Sequence, residues 1–269
     1  MALISDVPRL RAVVAAHALA AGADRAAPRP AGPRLHERSP LRCVAVSAGN
    51  DKRAVLARLW PRLAGHTSPE TRAAVLELAT GIHADVGGAL AEVAGLRARL
   101  ARELRPLGLA AAAAGTYPLA SPGDTPVSGS PRYRMVADSM RLLARRDPTL
   151  ALHVHVGVPD PENAIRVLNG LRGAVPVLLA LSANSPFCQW RDTGFASART
   201  VIFQGFPRTG TARRFDGYGD YVEAVDTLIA SRALPDPSFL WWDVRLQPAL
   251  GPVEVRAMDA QSTVGTALR

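Results

Sequence analysis

LALHVHVG (150–157) and LWWDVRLQPALGPVEVRAM (240–258) are the stretches whose reading decides the fold. Leu150 to Val158 alternates apolar and polar residues with period two, which predicts a strand with His153 and His155 on one face and Leu152, Val154 and Val156 on the other. Leu240 to Gln247 and Val253 to Met258 repeat the pattern around PALGP, whose prolines and glycine suit the turn of an antiparallel hairpin. Asp243, Arg245, Gln247, Glu254 and Arg256 then share one polar surface, while Trp242, Val244, Leu246, Val253 and Val255 turn to the core. That surface is open to two readings: a solvated sheet face laced by cross-strand ion pairs, or a binding face.

Working outward, Ala73 to Thr80 reads as a strand with Glu77 as its single acid. Asp85 can cap a helix to about Arg105, with Val86, Leu90, Val93, Leu96 and Leu100 recurring every three or four residues. Leu109 to Thr116 suits a strand, Arg132 to Arg146 a second helix and Pro161 to Arg172 a third, with Pro161 in a favoured early position. Pro176 opens an apolar segment to Ala183 that fits either a helix or a strand. Phe195 to Phe206 reads as a loop and strand carrying Arg199, and Tyr218 to Arg232 as a helix. Strands and helices do not alternate regularly, so the fold class is α+β: a mainly antiparallel sheet with helices on one face.

The first 70 residues are less constrained. Val7 to about Ala21 reads as a helix stopped by Gly22, followed by the proline-rich AAPRPAGPR, an apolar run from Leu41 to Ser47 and a helical pattern from Lys52 to Trp60. Residues 12–23 loosely imitate a signal peptide, but Asp6 precedes them and His17 interrupts them, so a cytoplasmic location is expected. The boundaries expected are a divergent, basic, Pro/Ala-rich region at 1–70 and a core domain at 71–269.

The 269 residues carry a net charge of +9, with 48% hydrophobic residues, enough apolar material for a core. Residues 1–70 hold 11 Arg or Lys against 5 Asp or Glu, and residues 71–269 hold 21 against 18, so the excess lies mostly in the first region. Its arginines are scattered and have few aromatic neighbours, which disfavours nucleic acid as a partner. The longest uncharged stretches are interrupted by prolines and too short to span a bilayer, so no membrane is expected. Cys43 and Cys188 have no knuckle or redox spacing and read as free thiols.

The residues that can carry chemistry are few. Two imidazoles on one strand face can bind a metal or contact phosphate, and Glu77, costly to bury without a cation, is a further metal-ligand candidate. Arg199, after the turn in DTGFASART, has the setting in which a carboxylate or phosphate is often held. There is no Walker loop, GxGxxG, GxSxG or zinc spacing. A face of carboxylates, imidazoles and arginines suits Mg2+ and nucleotide phosphate better than a nucleophilic triad.

Taken together, LELATGIHADV (76–86), LHVHVGVPDPENAIRVLNGLR (152–172), LLALSANSPF (178–187), DTGFASART (192–200) and WWDVRLQPALGPVEVRAMDAQST (241–263) resemble the carboxylate-amine ligases classed as glutamate-cysteine ligase type 2. The resemblance implies a funnel-like antiparallel sheet related to glutamine synthetase, with ATP and Mg2+ on its concave polar face. It implies ATP-dependent amide formation through an acyl phosphate, with glutamate and cysteine as the small-molecule substrates; a homodimer is compatible with it. By match to the family's blocks, Glu77, His153, His155 and Glu254 are the implied metal ligands. His153, His155, Arg245 and Arg256 are the implied cofactor contacts, and Arg199 and Arg256 the catalytic pair, for substrate carboxylate and nucleotide phosphate.

The chain departs from the family pattern in two places. Family members begin with a strand of the form Gly-Val-Glu-Glu-Glu-Phe that supplies metal ligands, whereas residues 1–70 hold only Glu37 and Glu70 as glutamates. They also continue past the position of Arg269. The expectations are an incomplete domain, a bare sheet edge where the first strand belongs, and weakened Mg2+ binding. A second reading follows, of a truncated or degenerate relative that binds nucleotide or regulates without catalysis. If the metal assignment holds, Glu254→Gln abolishes activity with the fold intact.

Overall fold

The computed structural model describes the backbone of residues 12–22 and, with short breaks, residues 59–264. Its strands are β1 (Ala12–Gly22), β2 (Thr67–Pro69), β3 (Val75–Ala79), β4 (Leu109–Ala112), β5 (Ala151–Gly157), β6 (Phe187–Cys188), β7 (Arg191–Asp192), β8 (Thr209–Gly210), β9 (Trp241–Trp242), β10 (Val244–Leu246) and β11 (Pro252–Asp259). The α-helices of eight or more residues are α1 (Val86–Leu104), α2 (Pro131–Met140), α3 (Pro161–Ser182) and α5 (Tyr218–Ala230); a shorter one, α4, covers Ala198–Gln204. The main sheet runs β10-β11-β5-β1-β3-β2, with β4 also paired to β1. Every pairing within it is antiparallel, as the α+β reading requires.

One face of this sheet is covered by helices. On α1 the apolar stripe Ala89, Leu90, Val93, Leu96, Leu100 and Leu104 is buried. It packs on Leu76 and Leu78 of β3 and on Leu152 of β5. Asp85 caps the helix as the sequence implies, accepting from the Gly88 N–H. Helix α3, capped by Asp160, seats Ala164, Ile165, Leu168 and Val175 against Val244, Val253 and Val255. It is one continuous helix: the alternative of a strand after Pro176 is excluded. Pro176 is exposed and lacks the N–H that would otherwise reach the Arg172 carbonyl one turn back. Among the described residues α3 alone is long and apolar enough to cross a membrane, and here its buried face belongs to the core.

Two expectations are overturned. The segment AVVAAHALAAG is not a helix but β1, in the middle of the sheet. Leu19 pairs with Val75 on one side and with Ala112 on the other, and Ala15 with Ala79 and with His153. Alanine favours helix only weakly, and two-sided pairing outweighs that preference, helped by the adjacent β-branched Val13 and Val14. The bare edge expected in the absence of the glutamate-rich strand is therefore filled, by a segment without a single Asp or Glu. Second, Phe195 to Phe206 is not a strand: Ser197 accepts from the Thr200 N–H and starts α4, so Arg199 sits in the first turn of a helix. The hairpin, α1, α2 and α5 follow the sequence pattern to within a few residues, α2 excepted at its C-terminus, where it stops at Met140 rather than Arg146. The apolar run 41–47 and most of the 52–60 pattern lie outside the described residues, as does Cys43.

Glu92 of α1 ties the outer strands to this helix. It accepts from the Gly81 N–H at 2.9 Å and from His83 Nε2, with His66 Nδ1 at 3.5 Å. The His83 hydrogen bond, helped by Gly81 and His66 and opposed by burial, holds the carboxyl below its ordinary range. A depressed carboxylate pKa stabilises the fold above the unfolded-state value and loses that contribution as pH falls through the folded one. With a quarter of the side chain open to solvent, Glu92→Gln should cost about 1 kcal/mol at pH 7. Thermal melts of both proteins should converge on acidification from pH 7 to pH 3; a gap that stays constant overturns the assignment.

Candidate functional site

Register across β10, β11 and β5 assembles the polar face. Arg245 stands opposite Glu254, and Glu254 opposite His155, while Val244, Val255 and Val154 align on the core side. His153 lies two residues before His155, on the same face. The ligand atoms of His153, His155 and Glu254 all lie within 4.8 Å of one another. After Val255 the register with β5 shifts by one residue, so that Met258 pairs with Leu152. This bulge leaves Arg256 on the polar side, near Glu254.

Glu254 is the centre of charge. It is 1% exposed. Its Oε2 accepts from Arg245 Nε at 2.6 Å, and its Oε1 lies 3.5 Å from Arg256 Nη1 and 3.6 Å from His153 Nδ1. Burial pushes this carboxyl up, but Arg256 and Arg245 together outweigh it and hold it below the usual carboxylate range. Arg245 is itself fixed by donating from Nη1 to the Ser238 and Leu240 carbonyls. Burial pushes His155 down, reinforced by the two arginines and opposed by Glu254 and Glu77, which favours the neutral imidazole. Its Nδ1 is buried without a hydrogen-bond partner.

Two of the residues marked from the sequence stand apart from this cluster. Glu77 accepts from Ser68 Oγ at 2.9 Å on the outer side of the sheet. β1 separates β3 from β5, which puts Glu77 about 10 Å across the sheet from the histidine strand. Arg199 is 3% exposed, and its guanidinium donates to the Ala257 and Arg256 carbonyls at 2.9 and 3.0 Å, with Asp259 at 3.8 Å. These bonds turn it into the body of the protein and give it a bracing position behind β11. Arg256 is better placed: it lies over the Phe203 ring, 5.7 Å from the centroid, beside Glu254.

Sequence reasoning passed over Asp259. It is fully buried and accepts from the Asn184 N–H at 2.8 Å, Ser185 Oγ at 2.7 Å and Ser197 Oγ at 3.0 Å. It therefore joins the end of β11 to the loop after α3 and to the start of α4. Gly115 lies so close that a Cβ there would come within 2.5 Å of the Asp259 carboxyl carbon. An acid at the end of an otherwise apolar strand, near serines in SANSP and ASART, was the available signal.

The polar face does not fit Mg2+ on the residues described. Mg2+ asks for an octahedron of oxygens. The cluster offers one carboxylate, half of which is taken by Arg245, and two imidazoles.

Comparison with known proteins places this geometry. The model of glutamate-cysteine ligase family 2 matches residues 35–269. A protein of Rubrobacter xylanophilus named as a putative glutamate–cysteine ligase 2-1 is 41% identical over 208 residues, which are 77% of this chain and 55% of that protein. A glutamate–cysteine ligase of Halobacterium salinarum is 38% identical over 216 residues, 80% of this chain and 60% of that one. The chain thus spans little more than half the length of the relatives it matches. Two crystal structures share the fold, each with a TM-score of 0.64. One is a bifunctional glutathione synthetase from Pasteurella multocida, 14% identical, covering 97% of this chain and 38% of that one. The other is a glutamate–cysteine ligase from Francisella tularensis in complex with AMP, 12% identical, covering 93% and 61%. With the matched region taking in β2 to β11 and every residue of the polar cluster, the chain belongs to glutamate-cysteine ligase family 2.

Proposed function

We propose that this chain supplies the sheet of an ATP-dependent carboxylate-amine ligase that joins the γ-carboxylate of glutamate to the amine of cysteine through an acyl phosphate. The observation that carries the reading is the polar face itself: Arg256, two imidazoles and a fixed Arg245–Glu254 pair converge on one side of an antiparallel hairpin, within a chain of this family. In this arrangement Arg256 meets nucleotide phosphate, and Arg245 holds the Glu254 carboxylate in one orientation. The neutral His155 offers a lone pair toward the same space. The glutamate γ-carboxylate takes the γ-phosphoryl group of ATP with release of ADP, and the cysteine amine attacks the acyl carbon, forming the amide as inorganic phosphate and a proton leave. No step is assigned to Mg2+, since the described donors do not suit it. Small-molecule substrates and a cytoplasmic setting accompany this reading.

The test is calorimetric titration of the chain with ATP and AMP, followed by assay of phosphate release with glutamate and cysteine together and singly. The expected result is nucleotide binding that Arg256→Gln weakens about tenfold, in line with the loss of a charge-assisted contact. Absence of nucleotide binding overturns the proposal. Binding without amino-acid-dependent phosphate release favours the second reading, of a nucleotide-binding or regulatory module. The observation behind that alternative is a central strand, β1, with no acid in it.

A further inference from the structure

We infer that the cleft between α5 and the segment leading into β10 binds a small organic ammonium ion with an aromatic or aliphatic body. The site stands independently of the proposed function, since none of the residues lining it belongs to the cluster of His153, His155, Glu254, Arg245 and Arg256. The cavity measures about 450 Å3, inside the range of roughly 300–1,000 Å3 for small-molecule sites. Its apolar walls are Phe215, Trp242 and Leu228, and its polar rim is Arg213, Asp220 and Glu223. The two rings stand with centroids 6.0 Å apart and planes inclined by 37°. Asp220 and Glu223 are three residues apart on α5, which puts both carboxylates on one side of the helix.

The rim itself displays the chemistry that the cleft accepts. Arg213 holds its guanidinium 4.5 Å from the Phe215 ring centroid and donates from Nη1 to Asp220 Oδ2 at 2.8 Å and from Nη2 to Oδ1. A cation over an aromatic face, closed by a carboxylate, is thus present once already. The hydrogen bonds from Arg213 hold Asp220 down to about 2, so this pair stays ionised and closed at neutral pH. Glu223 and Trp242 supply the same two components without the cation. Among the described residues no side chain pairs with the Glu223 carboxylate, and no guanidinium lies over the Trp242 ring. Arg213 and Asp220 cancel, so Glu223 leaves the cleft negative although the whole chain carries +9. That charge repels carboxylates and phosphates, nucleotides included. An ammonium group gains both Glu223 and the indole face, and the body of the ligand covers Leu228 and Trp242; a neutral ring gains the apolar contact alone.

Phenethylamine is the probe. Titrated into the full chain and followed by calorimetry and saturation-transfer NMR, it should bind saturably with a Kd of about 1 mM or tighter. Phenethyl alcohol and hydrocinnamate keep the ring and replace the ammonium by a hydroxyl or a carboxylate, and each should bind about fivefold more weakly or worse. Glu223→Gln, at an exposed position, should weaken the amine about fivefold, and Trp242→Leu by about the same factor. Asp226→Asn, on the same helix but outside the cleft, and Arg256→Gln, on the polar face, should leave amine binding unchanged. If circular dichroism shows Trp242→Leu unfolded, Glu223→Lys takes its place and should abolish binding. Binding that does not saturate, equal affinity for the alcohol, or full affinity in Glu223→Gln overturns the inference. So does loss of binding in Arg256→Gln, which would move the amine to the polar face. Nucleotide calorimetry on the same chain tests the ligase reading separately, and failure of either leaves the other standing.

Discussion

Asp259→Ala is expected to destabilise the protein by about 3–5 kcal/mol, the range for breaking a buried charge pair from one side. The substitution leaves three donors without an acceptor: the Asn184 N–H and the Ser185 and Ser197 hydroxyls. It also strips the nearby countercharge from Arg199, whose guanidinium is 3% exposed and already pushed down by burial, with Asp259 the first group opposing that shift. Arg199 keeps its two carbonyl acceptors, so it will not be wholly orphaned. The serine hydroxyls can rotate toward other partners, which puts the lower end of the range in play. Against a total stability of about 5–15 kcal/mol for an ordinary domain, even the lower end is a large share. Urea unfolding followed by circular dichroism should show a midpoint shifted far down for Asp259→Ala and less for Asp259→Asn, which keeps an acceptor oxygen. A shift equivalent to under about 1 kcal/mol in the alanine variant would mean that the network is incidental.

That residue also marks the boundary of what the sequence could reveal. Period-two alternation at 150–158 and 240–258 was readable because one face of each strand packs against a helix, and burial on one side forces alternation. Arg245 and Glu254 were placed together on one hairpin face where cross-strand ion pairs were open to them, and the shared face of the two histidines followed from alternation along their own strand. The third dimension was not readable. Nothing in the local pattern says that β11 lies beside β5, and that adjacency alone brings Glu254 to His155. Glu77 looked equivalent to Glu254, as a lone acid in an apolar strand, but two strand widths separate it from the histidines.

β1 and α4 show the opposite failure, where local signal misled. Residues 12–22 are mostly alanine, whose intrinsic preference is helical, and only the partners on both sides make the segment a strand. Serine before ARTVIFQ was a legible cap that the β-branched Thr200, Val201 and Ile202 obscured. The same shortfall explains Arg199. Placed on a strand it would project to a face; in the first turn of α4 it is directed at the carbonyls of β11.

Glu254→Gln is the second large effect, and the structure changes what it should do. On sequence grounds the variant loses activity and keeps its fold. With Glu254 at 1% exposure between two guanidiniums, the amide cannot neutralise either, and one of its ends presents N–H donors to an arginine that can only donate. A loss of about 3 kcal/mol is expected, together with the loss of nucleotide binding. Loss of function in this variant alone would thus be ambiguous. A second change resolves it: combining Glu254→Leu with Arg245→Met removes both charges from the buried pair and should recover most of the stability, because apolar side chains of similar size fill such sites at little net cost. Glu254→Leu alone, Arg245→Met alone and the double variant form with the wild type a cycle whose coupling, about 2 kcal/mol or more, measures the pair. If the double variant melts near the wild type yet gives no nucleotide heat, the Arg245–Glu254 pair has a binding role separate from its structural one. If Glu254→Gln melts like the wild type, the Arg245–Glu254–Arg256 arrangement is not what holds this face, and the site built on it falls.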